Sequence, residues 1–307
     1  MTTSDSVESR NCAIAFLGFS ELGQALGRGL LEAGALSVSA YDLRFDDEGA
    51  GPELKAKAEE LGVAAAESAA AAARGADIIV SAVTASAALA VARQAAGSIT
   101  PGQFFLDLNS ISPMDKQAGA KVIDAAGGRY VEGAVMSPVA AFGHRVPMVF
   151  GGRAAARLAE LLRPLGMRIE VAGSEIGEAS ATKMCRSIIM KGLEALAVEC
   201  LVTARHYGVE DQVIASLDQS FPAVDWRERS AYMLGRVLAH GARRAEEMRC
   251  AAETVRAAGI EPLMTEAITR RQQWVADLGP APAQAPVGEL GDLIEALRAI
   301  PDKRESP

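Results

Sequence analysis

The chain opens its patterned region with Cys12-Ala-Ile-Ala-Phe-Leu17, a short apolar run that stops at Gly18. A run of this length, bounded by a turn residue, predicts a strand buried on both faces of a parallel sheet. Leu22, Ala25, Leu26, Leu30 and Ala33 then recur at helical spacing until Gly34, so residues 21–33 read as an amphipathic helix. A second strand is expected over Leu36–Tyr41 and a helix over Glu53–Leu61, stopped by Gly62. Ser68–Arg74 is alanine-rich and helical in character. Asp77–Val83 and Phe104–Leu108 read as buried strands, followed by a helix over Met114–Ala126. Val146–Phe150 and Arg168–Val171 are strand-like and flank a helix at Arg153–Leu162.

Beyond Gly173 the pattern changes. Residues 177–207 form one long helical stretch without proline, and no further strand is expected. A helix of about 30 residues spans about 45 Å. Further helices are predicted at 210–219, 226–239, 242–258, 262–277 and 288–299, with a Pro-rich linker at 279–286 and a floppy tail at 1–10. Strands alternating with helices imply an α/β fold. Its N-terminal part is a Rossmann-type doubly wound sheet over residues 11–172. An all-helical C-terminal domain follows over residues 173–307.

Composition narrows the function classes. The chain has 307 residues, half of them hydrophobic but only 5% aromatic, and a formal net charge of -8. That balance argues against nucleic acid as the main partner. Cys12, Cys185, Cys200 and Cys250 follow neither a disulfide nor a zinc pattern, and His144, His206 and His240 lack metal-ligand spacing, so no metal is expected. The polar, acidic N-terminus does not read as a signal peptide, and the apolar stretch 77–93 is too short and too polar for a membrane span. A cytoplasmic protein without a membrane or nucleic-acid partner is the expectation.

The turn after the first strand, Gly18-Phe19-Ser20-Glu21-Leu22-Gly23, reads G-x-S-x-x-G. Glycines there let backbone amides and a helix N-terminus approach a pyrophosphate. Serine replaces the usual middle glycine, and its hydroxyl can bond a phosphate oxygen. Asp42 lies 19 residues after Gly23, close to the spacing of the acid that binds a ribose. It favours NAD by repelling a 2′-phosphate. Arg44 can hold that phosphate instead, which keeps NADP open. Val83 and Thr84, at the end of the third strand, and Asn109, after the fourth, complete the expected cofactor contacts.

These segments resemble the β-hydroxyacid dehydrogenase family, which includes 3-hydroxyisobutyrate and 6-phosphogluconate dehydrogenases, with imine reductases as cousins. The resemblance is carried by Gly18–Gly23, by Asp107-Leu-Asn-Ser-Ile-Ser-Pro113, and by Ala134-Val-Met-Ser137 leading to Gly151-Gly152. Gly177-Glu-Ala-Ser-Ala-Thr-Lys183 and the stretch from Glu199 through Gly208-Val209 complete it. It implies NAD(P)-dependent hydride transfer on a 3-hydroxy acid or related polar alcohol, and a homodimer or higher homo-oligomer. The family's catalytic lysine maps onto Lys183, which would serve as general acid/base. At about 100° per residue, Ser187 lies about 40° around the helix from Lys183, Lys191 about 80°, and Arg186 about 60° the other way. Three cations and a hydroxyl on one broad face suit an anionic substrate.

The chain departs from the family pattern in informative ways. Ser187 stands where asparagine is usual, and Arg186 where Asn or His is common. Asn109 and Ser110 replace a Ser-Thr pair near nicotinamide and substrate. The substrate loop Ser-Gly-Gly reads Ser137-Pro138-Val139, and proline removes an amide donor. The distal lysine of the C-terminal domain falls near Glu246, with Arg243, Arg244 and His240 close by. The acid of the decarboxylating enzymes would fall at Met190, which speaks against that reaction. Glu194 lies about 16 Å along the helix from Lys183 and serves another role. Two other readings stand beside the dehydrogenase. One is an imine reductase, which Lys183 argues against. The other is a non-catalytic nicotinamide-binding redox sensor, suggested by the altered loop.

Overall fold

A computed structural model of the chain describes residues 12–279 and 289–298. The N-terminal tail 1–10 and most of the Pro-rich linker expected at 279–286 lie outside the described residues. The chain divides into two compact units, Met1–Lys183 and Met184–Pro307. The division falls inside the long helix, ten residues beyond the change of pattern at 173.

The first unit is an eight-stranded sheet with helices on both faces. Its strands are β1 (Ala13–Leu17), β2 (Ser37–Tyr41), β3 (Ala64–Ala65), β4 (Ile78–Ser81), β5 (Phe104–Asp107), β6 (Arg129–Val135), β7 (Met148–Gly151) and β8 (Ile169–Gly173). Their order is β3-β2-β1-β4-β5-β6-β7-β8. All pairs are parallel except β6 with β7. The link from β6 to β7 carries only short 3-10 turns, at Val139–Ala141 and Gly143–Arg145. A parallel return needs a longer crossover, so this pair runs antiparallel.

The helices of this unit are α1 (Glu21–Glu32), α2 (Gly51–Glu60), α3 (Ala69–Ala73), α4 (Ala88–Ala96), α5 (Pro113–Ala125), α6 (Ala155–Leu162) and the first turns of α7 (Glu178–His206). Strand side chains alternate between two cores. Phe16, Val80, Leu106 and Phe150 enter one, with Leu26, Leu158 and Leu162. Ala15, Leu17, Ile79 and Phe105 enter the other, against Ala69, Ala72, Ala73, Ala92, Ala95 and Ala120. This alanine-lined face explains the aromatic-poor composition, since small side chains let α3, α4 and α5 lie close to the sheet.

The second unit is helical: the rest of α7, then α8 (Glu210–Ser220), α9 (Trp226–Ala257), α10 (Leu263–Asp277) and α11 (Leu290–Arg298). Val198, Leu201, Ile214, Leu234, Val237 and Val275 form its core with Leu293 and Ile294. Three details differ from the sequence pattern. Strand β6 was not signalled, because Glu132 and Gly133 interrupt its apolar run. Helix α4, nine residues long and dominated by alanine, and the two-residue β3 were not signalled either. The helices expected at 226–239 and 242–258 are one helix bent at His240 (φ -138°, ψ 17°). At the neighbouring Gly241 a Cβ would stand 2.9 Å from the Gln272 carbonyl oxygen, so only glycine admits α10 this closely.

A buried polar network closes the ends of β5 and β6. Lys116 Nζ donates to Asp107 Oδ1 at 2.8 Å and to the Asp107 carbonyl at 2.7 Å. Tyr130 Oη donates to Asp107 Oδ2 at 2.8 Å, and the Asn109 amide donates to Oδ1 at 2.9 Å. Burial, and then the charge of Asp107, hold the Tyr130 hydroxyl well above its usual pKa, so it remains a donor. Replacing Lys116 by Met strands a buried carboxylate. The expected cost is about 3–5 kcal/mol of unfolding free energy in urea titration. A loss below about 1 kcal/mol, the range of an exposed pair, contradicts this assignment.

Candidate active site

The turn expected to hold a cofactor begins where β1 meets β4 at the middle of the sheet. Gly18 has φ 99°, and a Cβ there would stand 2.3 Å from the Ala82 carbonyl oxygen. A Cβ at Gly23 would stand 2.5 Å from the Gly18 carbonyl oxygen. Both positions therefore require glycine. Ser20 is the N-cap of α1, and its hydroxyl makes no capping bond. The first amides of α1 thus have no side-chain acceptor, the condition in which a helix N-terminus receives a phosphate. Glu21 is exposed and Leu22 packs against the core. The Phe19 ring is buried against Phe45.

Asp42 follows β2 directly and is fully engaged. Its Oδ2 accepts the Phe19 amide at 2.7 Å and Arg44 Nη2 at 2.9 Å. Its Oδ1 accepts the Arg44 amide at 3.0 Å and Nε at 2.9 Å. Desolvation pulls the Asp42 pKa upward, but the Arg44 guanidinium and the two backbone amides outweigh it and hold the group at about 2. The two residues read as rival selectors in the sequence are therefore one ion pair. Across the turn, the Val83 amide donates to Asn109 Oδ1 at 2.7 Å, and Asn109 Nδ2 donates to Ser81 Oγ at 2.9 Å. Asn109 thus fixes the loop after β4. Thr84 is exposed, its Oγ1 3.2 Å from Ser86 Oγ.

Ser110 follows Asn109, and Lys183 Nζ donates to Ser110 Oγ. The structure so joins two of the residues singled out by sequence. Ser137 follows β6 half-buried, ahead of Pro138. What sequence reasoning missed is Glu132 of β6, a fully buried carboxylate. Glu132 Oε1 accepts the amides of Gly177 at 2.7 Å and Ala179 at 3.0 Å. Its Oε2 accepts the Ser180 amide at 3.2 Å and hydroxyl at 2.7 Å. The available signal was a lone glutamate within the apolar stretch 130–135.

In the second unit, Lys191 is buried, donates to Ser187 Oγ at 3.1 Å and pairs with Glu247 at 2.8 Å. Arg186 is exposed. Glu194 pairs with Arg244 at 2.5 Å, both buried. Burial raises the Glu194 pKa against the pull of Arg244, Lys191 and Arg236. His240 sits at the bend of α9, and burial plus Arg243, Arg236 and Arg244 push its pKa down to about 4. Among the described residues no group of three or more His, Cys, Asp or Glu is placed to hold a metal, and no helix is long and apolar enough to cross a membrane.

Residues 13–110 match the family described as NADP oxidoreductase coenzyme F420-dependent, and residues 204–275 match a domain of unknown function, DUF1932. The chain is similar to a conserved hypothetical protein from Sinorhizobium meliloti 1021, with 38% identity over 94% of this chain and 96% of that one, at a TM-score of 0.73. It is 31% identical to a conserved protein of unknown function described as structurally similar to 3-hydroxyacid dehydrogenases, over 86% of this chain and 97% of that one, at a TM-score of 0.69. The 3-hydroxyisobutyrate dehydrogenase of Mycobacterium tuberculosis shares the fold at 21% identity, covering 94% and 99% of the two chains, with a TM-score of 0.72. The chain belongs to the β-hydroxyacid dehydrogenase family.

The depressed Asp42 pKa carries a stability signature. A carboxylate held at about 2, below its ordinary 3.8, contributes stability that is complete above the ordinary value and is lost as pH falls toward 2. Asp42→Asn is expected to lower the melting temperature at about pH 5. That deficit should close as the pH approaches 2. A deficit independent of pH across this range refutes the pairing.

Proposed function

We propose that the protein is an NAD(P)-dependent oxidoreductase acting on a 3-hydroxy acid or related polar alcohol, with Lys183 as general acid/base. The observation that carries this reading is the hydrogen bond from Lys183 Nζ to Ser110 Oγ, which sets a helix lysine beside the loop at the C-terminal end of β5. Ligands of open α/β sheets bind outside these strand ends, near the switch in strand order, which here lies between β1 and β4.

The residues present fit a dinucleotide. The Gly18–Gly23 turn offers a cradle that a Cβ would fill, ahead of a helix N-terminus without a side-chain cap. Gly18 to Gly23 would hold the pyrophosphate, Asp42 and Arg44 the adenosine ribose, and Val83, Thr84 and Asn109 the nicotinamide side. A bound nicotinamide supplies the carbon that accepts or donates hydride. In the oxidising direction Lys183 takes the proton of the substrate hydroxyl, and in the reducing direction its ammonium returns it. Ser110 orients the lysine and is itself a donor to substrate oxygen. Ser137 offers a further hydroxyl, but Pro138 leaves its loop one amide short of a carboxylate cradle. Arg186, exposed on the turn of α7 after Lys183, and Lys191 further along the helix are the cations proposed for an anionic group of the substrate, with Ser187 between them.

An absorbance screen at the reduced-nicotinamide band, with hydroxy acids, sugar acids and aryl alcohols and with both cofactors, is expected to reveal turnover. Lys183→Ala should lower kcat by about 10²–10⁴-fold with cofactor affinity intact. Undiminished turnover sinks the assigned role. Arg44 holds Asp42 and offsets the charge that would repel a 2′-phosphate, so both cofactors should bind. Arg44→Ala should weaken NADP by about ten-fold relative to NAD, as the loss of a hydrogen bond to a charged group of about 1.5 kcal/mol implies. An unchanged ratio in equilibrium titrations places Arg44 outside the selection.

A further inference from the structure

Glu132 occupies the middle of β6, where an ionisable side chain is costly unless its oxygens are fully partnered. All four of its partners are donors, three amides and one hydroxyl, so the group acts as an acceptor-only carboxylate. Three of these donors are amides at the start of α7, which have no acceptor inside their own helix. The helix dipole favours negative charge at this end. The surrounding backbone is shaped to the side chain. Gly151 is the register partner of Glu132 in β7, and a Cβ there would stand 2.6 Å from Glu132 Oε1. Gly177, one of the donors, has φ 120°, a conformation that side-chain-bearing residues rarely adopt.

Lys183 follows Ala179 by four residues and Ser180 by three. On an α-helix these positions share a face, so the amides held by Glu132 lie one turn below the lysine. The lysine ammonium in turn reaches Ser110, just beyond β5. Strands β5 and β6 are adjacent, with Asp107 and Glu132 in register. The sheet that carries Ser110 therefore also carries the carboxylate that sets the axial position and rotation of the first turns of α7.

We propose that Glu132 is a positioning residue that holds Lys183 on Ser110. Its catalytic consequence rests on the acid/base reading of Lys183, but the positioning itself is measurable without a substrate. Glu132→Gln keeps the shape and turns an amide NH2 toward the donors of Ser180. Full-length wild type, Glu132→Gln, Ser110→Ala and the double variant are reacted with trinitrobenzenesulfonate. Peptides carrying Lys183 and the exposed Lys55 and Lys121 are then quantified by mass.

Glu132→Gln is expected to speed labelling of Lys183 about five-fold or more, the ratio that one net hydrogen bond of about 1 kcal/mol carries. Lys55 and Lys121 should keep wild-type rates. Ser110→Ala should also speed Lys183, and the double variant should label no faster than Ser110→Ala alone, because both act on one contact. A wild-type rate at Lys183 overturns the proposal. So does an equal rise at all three lysines, or a double variant in which the two effects multiply. If Glu132→Gln fails to fold, Ser180→Ala decides: it removes one donor, keeps the carboxylate, and should give a smaller rise confined to Lys183. With a substrate from the screen, Glu132→Gln should lower kcat while leaving cofactor KM unchanged. Glu132→Gln on a Lys183→Ala background should add no further loss. Lys183→Ala with full turnover removes the acid/base reading and leaves the labelling result to decide the positioning by itself.

Discussion

Two buried carboxylates lie side by side in the sheet, and much of the first unit is arranged around them. Asp107 of β5 and Glu132 of β6 are register partners in a parallel pair, so their side chains leave the same face. Neither can be buried beside the other as a bare charge. Each draws at least one partner from a different helix. Asp107 takes the ammonium of Lys116 from α5 and the hydroxyl of Tyr130. Glu132 takes the first amides of α7 and the Ser180 hydroxyl. Moving either helix by about 1 Å would stretch these bonds beyond hydrogen-bonding range and unpair a charge in a low-dielectric setting, where an unmet donor or acceptor costs most. The pair therefore converts strand register into helix position.

The same constraint passes from the sheet to the loops at its C-terminal edge. Asp107 accepts the amide of Asn109, and Asn109 accepts the amide of Val83 and donates to Ser81. The loops after β4 and β5 are thus coupled by one asparagine with both ends of its amide used. On the other side of β4, Gly18 lies so near the Ala82 carbonyl that no side chain fits between them. The turn expected to cradle a dinucleotide and the loop expected to meet its nicotinamide end are consequently built on touching backbone. Rigid spacing of this kind is what hydride transfer requires, because a displacement of about 1 Å at the reacting atoms can cost two orders of magnitude in rate.

Where local pattern decided structure, the sequence was readable. The apolar runs of β1, β4 and β5, the glycine turn, the amphipathic α1 and the long α7 all announced themselves, and the family resemblance rested on segments the fold places at strand ends or at the two ends of α7. Strand β6 was hidden because its key residue breaks the pattern. A glutamate followed by glycine within an apolar run looks like a loop until the amides of residues 177–180, some 45 positions away, are seen to meet it. Helix α4 was hidden for another reason: its buried positions Ala88, Ala92 and Ala95 do recur at helical spacing, but alanines on either side of them blur the contrast in a stretch of only nine residues. The bend at His240 left two helices' worth of pattern on one continuous helix, and the break at residues 240–241 was visible while its cause, the approach of Gln272, was not. Pairings such as Asp42 with Arg44 are also outside the reach of spacing, since both an opposed and a cooperative role fit two residues two positions apart.

The cationic face inferred for α7 changes most once partners are counted. Helical spacing puts Lys183, Arg186 and Lys191 within one broad arc, but charge at a helix surface acts only as far as it is not cancelled nearby. Lys191 is buried and lies 2.8 Å from Glu247, and the next buried acid on the helix, Glu194, is matched by Arg244. Seen from a distance these are dipoles, whose field fades faster than that of a single charge. Arg186 stands exposed on the same helix. The arc is therefore less cationic than helical spacing alone implies, because the Lys191 ammonium is already engaged by the Glu247 carboxylate and by the Ser187 hydroxyl, 3.1 Å away.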